Sequence, residues 1–102
     1  MDMLSGKNIL ITGCARGIGK SMVEVCAKYG ANIWANARSP NKNFDNYCKS
    51  ISELYSVSVI PAYFDLTNKI EIVNSVKMIR ASDIPINGLI NNAGITYNSL
   101  FQ

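Results

Sequence analysis

Three glycines near the start of the chain have the spacing to bind an anion. Gly13, Gly17 and Gly19 form the pattern G-x-x-x-G-x-G between a short apolar run and a segment of helical periodicity. When a glycine-rich turn opens a helix, its backbone N–H groups and the positive end of the helix dipole face the same point. The missing side chains also let a phosphate approach the backbone. The pattern therefore predicts a nucleotide-phosphate site.

The segments on either side of the glycines must position them. Asn8-Ile9-Leu10-Ile11 is short and β-branched, as expected of a strand that is buried on both faces. After the glycines, apolar residues recur at helical spacing, and Gly30 marks the end of the helix. The predicted apolar face of this helix consists of Ile18, Met22, Val25, Cys26 and Tyr29.

A P-loop of a nucleotide triphosphatase is the alternative reading of the same stretch. Gly19-Lys20-Ser21 matches the end of that motif, and Gly13 lies upstream. The P-loop needs four residues between its first glycine and G-K-[ST], whereas Gly13 and Gly19 enclose five. The extra residue would turn successive N–H groups away from the phosphates, so this alternative is disfavoured.

A second motif lies far along the chain. The apolar run from Ile86 to Ile90 is followed directly by Asn91-Asn92-Ala93-Gly94. Together with the glycine pattern after the first strand, this motif resembles the short-chain dehydrogenase/reductase superfamily, and the likeness covers essentially all 102 residues. The sequence is most similar to the 3-oxoacyl-[acyl-carrier-protein] reductase branch, through Gly6-Lys7, Arg16-Gly17-Ile18-Gly19 and Asn91 to Thr96.

Strand and helix signals alternate between the two motifs. Further strands are predicted over Ala31 to Ala37, Val57 to Phe64 and Ile86 to Ile90. Pro61 suits an edge strand because proline lacks a ladder donor, and Thr67 is the predicted N-cap of the third helix. The apolar positions of the second and third helices are Phe44, Tyr47, Cys48, Ile51, Leu54 and Tyr55, and Ile70, Val73, Val76 and Ile79. We expect an α/β fold with a Rossmann-type doubly wound parallel sheet, truncated after the fourth strand, in the order 3-2-1-4.

The charges after the second predicted strand bear on the cofactor. In dinucleotide folds a carboxylate there selects the ribose 2′-hydroxyl of NAD, and an arginine accommodates the 2′-phosphate of NADP. This chain has Ala37 where the resemblance puts the acid, followed by Arg38 and Ser39, while Arg16 adds a second guanidinium. We expect NADP(H) to be preferred over NAD(H). The alternative is that Arg38 and Arg16 are solvated surface charges.

The resemblance implies cofactor-binding residues in the loops that follow the four strands. Asp65 would lie beside the adenine ring, or would simply end its strand as a turn residue. Asn91, Ala93 and Gly94 would line the ribose and nicotinamide end, and Asn91 and Asn92 could also hold neighbouring strands together. The full implied set is Gly13, Cys14, Ala15, Arg16, Gly17, Ile18, Gly19, Arg38, Ser39, Asp65, Leu66, Asn91, Ala93 and Gly94.

The catalytic pattern of the family is absent from these 102 residues. The resemblance implies a serine and a Tyr-x-x-x-Lys pair that polarise a carbonyl and deliver a proton, but none of the five tyrosines has a lysine four positions later. We therefore expect residues 1–102 to be a partial NAD(P)-binding Rossmann domain without the catalytic C-terminal half. The parent protein would be an NADPH-dependent reductase of a carbonyl such as a 3-oxoacyl thioester, and the chain alone would be inactive. A non-catalytic dinucleotide-binding module is the open alternative.

The composition argues against several other classes of protein and of functional site. The chain has no histidine for a Cys–His nucleophile, and its three cysteines lack the spacing of a disulfide framework or a metal site. The net charge of +3 comes from dispersed Lys and Arg, which gives little support for nucleic-acid binding. Without a visible signal peptide or membrane span, cytoplasm is the expected location. A bare fourth strand at the sheet edge favours a homo-oligomer.

Overall fold

The computed structural model describes residues 3–92. Strands and helices alternate along this part of the chain, and all strand pairs in the single sheet are parallel. The elements are β1 (Asn8–Ile11), α1 (Gly17–Lys28), β2 (Asn32–Ala37), α2 (Lys42–Tyr55), β3 (Val59–Tyr63), α3 (Lys69–Ala81) and β4 (Gly88–Ile90). The sheet order is β3-β2-β1-β4, which confirms the predicted fold class and the order 3-2-1-4.

Both faces of the sheet are covered. Successive side chains of a strand point to opposite faces, so Ile9 and Ile11 of β1 join one core cluster and Leu10 joins the other. The first cluster packs β1 and β2 against α1 and α2, and the second packs Trp34 and its neighbours against α3. The prediction that β1 is buried on both faces is confirmed, because these three side chains are all buried.

The buried face of α1 differs from the predicted one. Ile18 and Val25 are 74% and 47% exposed, so placing them on the core face was wrong. The buried residues of α1 are Gly19, Val23, Cys26 and Ala27. Helix α1 therefore meets the rest of the fold mainly through small side chains, which permit close contact, and the larger apolar residues lie outside that contact.

All three later strands are shorter than predicted, since β3 also ends before Phe64 and β4 begins at Gly88 and not at Ile86, and one helix cap differs as well. Ala31 and Val57 lie outside β2 and β3, because their N–H groups donate to Cys26 and Ser52 at the ends of the preceding helices. The N-cap of α3 is Asn68, whose side chain accepts from the Glu71 N–H, so the prediction of Thr67 was wrong. Pro61 lies on the edge strand β3, as expected.

Two general expectations concern membranes and metals. Every helix in residues 3–92 is too short or too polar to cross a lipid bilayer. Within the same residues no cluster of three or more His, Cys, Asp and Glu side chains has the geometry to hold a metal ion. The three cysteines are free and buried, and burial raises the pKa of the Cys14 and Cys48 thiols to about 12.

Candidate functional site

The loops that follow the strands meet at one edge of the sheet. Because the strands are parallel, the glycine turn after β1, Arg38 after β2 and Asp65 after β3 share the edge at the carboxyl ends of the strands. A cleft of about 280 Å³ opens there. It is lined by Gly13, Asn36, Arg38, Phe64, Asp65, Leu66 and Thr67. Ligands of doubly wound folds bind at this kind of position.

The three glycines are required for two different physical reasons. Gly13 and Gly17 have φ angles of 65° and 62°, which lie in the left-handed region that residues other than glycine rarely adopt. Gly19 is instead required by contact, because a Cβ atom there would lie 2.0 Å from the Gly13 carbonyl oxygen and 2.6 Å from Asn92 Nδ2. Gly13 and Gly17 allow the backbone to form the turn, and Gly19 allows α1 to pack closely against it.

Two N–H groups of the glycine turn are already bonded within the fold. The Gly13 N–H donates to Asn36 Oδ1 over 3.1 Å, and the Cys14 N–H donates to the Asn36 carbonyl oxygen over 2.8 Å. The Cys14 side chain is fully buried and donates to the Ile11 carbonyl. The free N–H groups that the sequence predicts for this turn can therefore come only from the residues after Cys14.

The start of α1 is open to an anion. Arg16 occupies the N-cap position, its side chain makes no capping bond, and the first turn holds no acidic residue. Ala15, Arg16, Gly17 and Ile18 are exposed. The first N–H groups of a helix need a partner, and here an anion can serve as one.

Asn36 is the polar residue of this region that sequence reasoning missed. It is 2% exposed, and besides accepting from Gly13 it donates through Nδ2 to the carbonyl oxygens of Ala37, Ala62 and Phe64, each over 3.1 Å. The sequence carries a signal for this role, because an amide side chain in the buried part of a mostly apolar strand must find internal partners. This side chain joins the glycine turn to β2 and to the residues around the end of β3.

Arg38 and Asp65 were predicted as separate contacts with the ligand, and the structure brings them together. Arg38 Nε lies 3.2 Å from Asp65 Oδ2. The other carboxylate oxygen, Oδ1, accepts from the Thr67 N–H over 2.9 Å and from the Thr67 hydroxyl over 2.7 Å. These Thr67 bonds, and then the Arg38 guanidinium, lower the pKa of Asp65. Ser39 is exposed beside Arg38, and Leu66 lines the cleft.

The second motif is docked on the first. The Thr12 N–H donates to the Ile90 carbonyl over 3.0 Å, and the Thr12 hydroxyl donates to Asn91 Oδ1 over 3.3 Å. Asn92 Nδ2 donates to the Gly13 carbonyl over 3.2 Å. Asn91 and Asn92 thus hold the end of β4 against the glycine turn, as one of the two compatible roles anticipated. Ala93 and Gly94 lie outside the described residues.

Lys20 is placed unlike the lysine of a P-loop. Its Nζ lies 4.7 Å from the centre of the Tyr47 ring, and the Tyr47 hydroxyl donates to the Lys20 carbonyl over 2.8 Å. The ammonium group therefore lies against α2 and not over the glycine turn. This placement adds a structural reason to disfavour the P-loop alternative.

Comparison with known proteins decides the family. A family model described as short chain dehydrogenase matches residues 7–102, which is most of the chain. The chain belongs to the short-chain dehydrogenase/reductase family. Gluconate 5-dehydrogenase of Gluconobacter oxydans (strain 621H) is 37% identical over 92 residues, which cover 90% of this chain and 35% of that protein. The 3-oxoacyl-[acyl-carrier-protein] reductase of Escherichia coli (strain K12) is 33% identical over 97 residues, covering 95% and 38%.

A solved short-chain dehydrogenase/reductase structure shares the fold. L-sorbose reductase from Gluconobacter frateurii, complexed with NADPH and L-sorbose, matches with a TM-score of 0.81 and 34% identity. The match covers 95% of this chain and 37% of that enzyme. The chain thus spans between a third and two fifths of the length of these family members.

Proposed function

We propose that the chain is the dinucleotide-binding part of an NADP-dependent oxidoreductase. The observation that carries the proposal is the junction of an uncapped helix start with a cleft at the carboxyl ends of β1, β2 and β3. This junction offers backbone donors for a pyrophosphate beside a recess for an adenosine. When bound, the reduced nicotinamide of such a cofactor supplies a hydride to a carbonyl carbon.

Each part of the cofactor has candidate partners on the chain. The backbone of Arg16 to Gly19 would bind the pyrophosphate, with Gly13, Cys14 and Ala15 forming the turn that supports it. Asp65 and Leu66 would border the adenine in the cleft. Asn91, Ala93 and Gly94 would face the ribose and nicotinamide, as the resemblance implies.

The preference for NADP rests on charge. Ala37 stands where an acid would select the 2′-hydroxyl, and Arg38 with Ser39 follows at the rim of the cleft. A guanidinium offers forked, charge-assisted hydrogen bonds to a phosphate, and Arg16 at the start of α1 adds a second positive charge. The sorbose reductase of the same fold was solved with NADPH, which supports the same cofactor here.

The substrate of the whole protein is proposed as a carbonyl compound. The motifs favour a 3-oxoacyl thioester, reduced to its 3-hydroxyacyl form, while relatives named for gluconate and sorbose favour a keto sugar or keto sugar acid. No Tyr-x-x-x-Lys occurs in residues 1–102, so the proton-delivering pair would lie in the part of the relatives that this chain does not span. The chain itself would bind the cofactor without turnover.

Direct titration tests the proposal. NADPH and NADH are added to the purified chain, and binding is followed by calorimetry, with acetoacetyl thioester and 5-ketogluconate then offered to the NADPH complex. We expect saturable binding, tighter for NADPH, and no oxidation of NADPH. Binding of Mg-ATP in place of either nicotinamide cofactor would contradict the proposal, and turnover would contradict the assignment of catalysis to other residues.

A further inference from the structure

We propose that Asp65 sets how strongly the site discriminates for a 2′-phosphate, by holding the guanidinium of Arg38. The inference rests on the proposed function, in which Arg38 is the partner of that phosphate. It adds a specificity-determining role to a residue otherwise expected only to border the adenine. The consequence is that the native chain prefers NADP over NAD less strongly than Arg38 alone would allow.

The carboxylate of Asp65 is fixed independently of Arg38. Both hydrogen bonds from Thr67 end on Oδ1, and the Arg38 contact uses the other oxygen, Oδ2. The Asp65 N–H also donates to Glu71 Oε1 over 3.1 Å, which ties this residue to the first turn of α3. The negative charge of Asp65 therefore stays at the rim of the cleft when Arg38 turns to another partner.

Arg38 is the movable member of the pair. Its side chain is 82% exposed, whereas that of Asp65 is 23% exposed. An exposed ion pair has little net stability, so a phosphate dianion can draw the guanidinium away. The carboxylate that remains then repels the dianion at short range, and Arg38 is shared between two anions. A ligand with a free 2′-hydroxyl carries no charge at that position. It is therefore repelled less by Asp65 and depends less on Arg38.

Two small ligands isolate the effect. Adenosine 2′,5′-bisphosphate and 5′-AMP differ only in the 2′-phosphate, so the ratio of their affinities reports the grip on that group and cancels contacts with the adenine. Calorimetric titration at low salt gives the ratio for the native chain and for Asp65→Asn. We expect Asp65→Asn to raise the ratio in favour of the bisphosphate by about five- to tenfold, with a smaller effect at high salt.

Two further comparisons separate the role of the pair from net charge. Asp83→Asn removes the same charge on the turn between α3 and β4, at the opposite end of the sheet, and should leave the ratio unchanged. In an Arg38→Ala background, Asp65→Asn should raise the ratio by a smaller factor, since only the direct repulsion between the carboxylate and the phosphate is then relieved. Far-ultraviolet circular dichroism of each variant verifies folding.

The outcomes distinguish the two proposals. If the native chain binds neither ligand, the proposed function fails. If it binds both and Asp65→Asn leaves the ratio unchanged or lowers it, the inference is overturned while the proposed function stands. An equal rise in Asp83→Asn, or an undiminished rise in the Arg38→Ala background, also overturns the role of the ion pair.

Discussion

Asn36 accepts a hydrogen bond from the Gly13 N–H over 3.1 Å while its own amide nitrogen donates to three carbonyl oxygens. One buried side chain therefore connects the glycine turn to two strands of the sheet. The position of the turn, and with it the start of α1, depends on this amide and not only on the glycines.

Replacing Asn36 by Ala should lower the free energy of unfolding by about 2–3 kcal/mol, because the partly buried Gly13 N–H loses its acceptor and three carbonyl oxygens each lose a donor. Urea denaturation monitored by circular dichroism measures the change. Asn74→Ala is the matched control: Asn74 is exposed on α3, and alanine there should be neutral or slightly stabilising. Equal stability of both variants would show that the Asn36 network contributes nothing net.

Gly19→Ala should be the more disruptive of two glycine substitutions. A Cβ at Gly19 would overlap the Gly13 carbonyl, so the turn or α1 must move, at a cost of about 2–3 kcal/mol and with loss of NADPH binding. At Gly88 the nearest atom is Ile9 Cγ1 at 3.8 Å, an ordinary contact. Gly88→Ala should therefore change stability by less than about 1 kcal/mol. Normal NADPH binding by Gly19→Ala would contradict the close contact.

The cysteine thiols should be inert in the folded chain. Burial raises the pKa of Cys14 and Cys48 to about 12 and also raises that of Cys26, so little reactive thiolate forms at pH 8. An aromatic disulfide reagent should react with all three thiols in denaturant and with none rapidly under native conditions. Rapid reaction of one thiol in the native chain would show that its segment opens.

The same burial of the thiols should lower stability at alkaline pH. Thiols ionise in the unfolded chain near pH 8.5 but remain protonated in the folded chain, so unfolding releases protons and stability falls as pH rises above that value. Denaturation midpoints between pH 7 and pH 10 test the sign. Cys48→Ala should make the denaturation midpoint fall less steeply with pH. An unchanged pH dependence would show that other groups cause the loss of stability.

Arg38→Ala should weaken NADPH binding by at least about tenfold while changing NADH binding little, because only NADPH presents a 2′-phosphate. Arg80→Ala, which removes an exposed arginine from the last turn of α3, should alter neither affinity beyond a small salt-sensitive effect. Parallel titrations with both cofactors give the comparison. Equal losses for the two cofactors would contradict a contact with the 2′-phosphate.

The strands and helices could be predicted from apolar patterns that repeat along the chain, and the sheet order from the resemblance to a family of doubly wound folds. The role of Asn36 could not be predicted from the sequence, because its four partners come from three separate segments that meet only in the folded chain. For the same reason the sequence did not predict the pairing of Arg38 with Asp65, although it predicted each residue as a cofactor contact. The sequence also offered Thr67 as the helix cap, whereas in the fold the Thr67 hydroxyl donates to Asp65 and the Asn68 side chain caps α3.

The place of β4 in the sheet has a kinetic consequence. Hydrogen bonds between the starts of β1 and β2, and of β2 and β3, join residues 24 and 26 positions apart, whereas the bond that closes β1 against the segment before β4 spans 79 positions. Closing the longer loop costs more chain entropy and slows pairing. Strand β4 should therefore be the last of the four strands to add to the sheet, and its amide hydrogens the last of the sheet to gain protection during refolding. Because Asn91 and Asn92 follow β4 and rest on the glycine turn, that turn would acquire its final support only in the last step of folding.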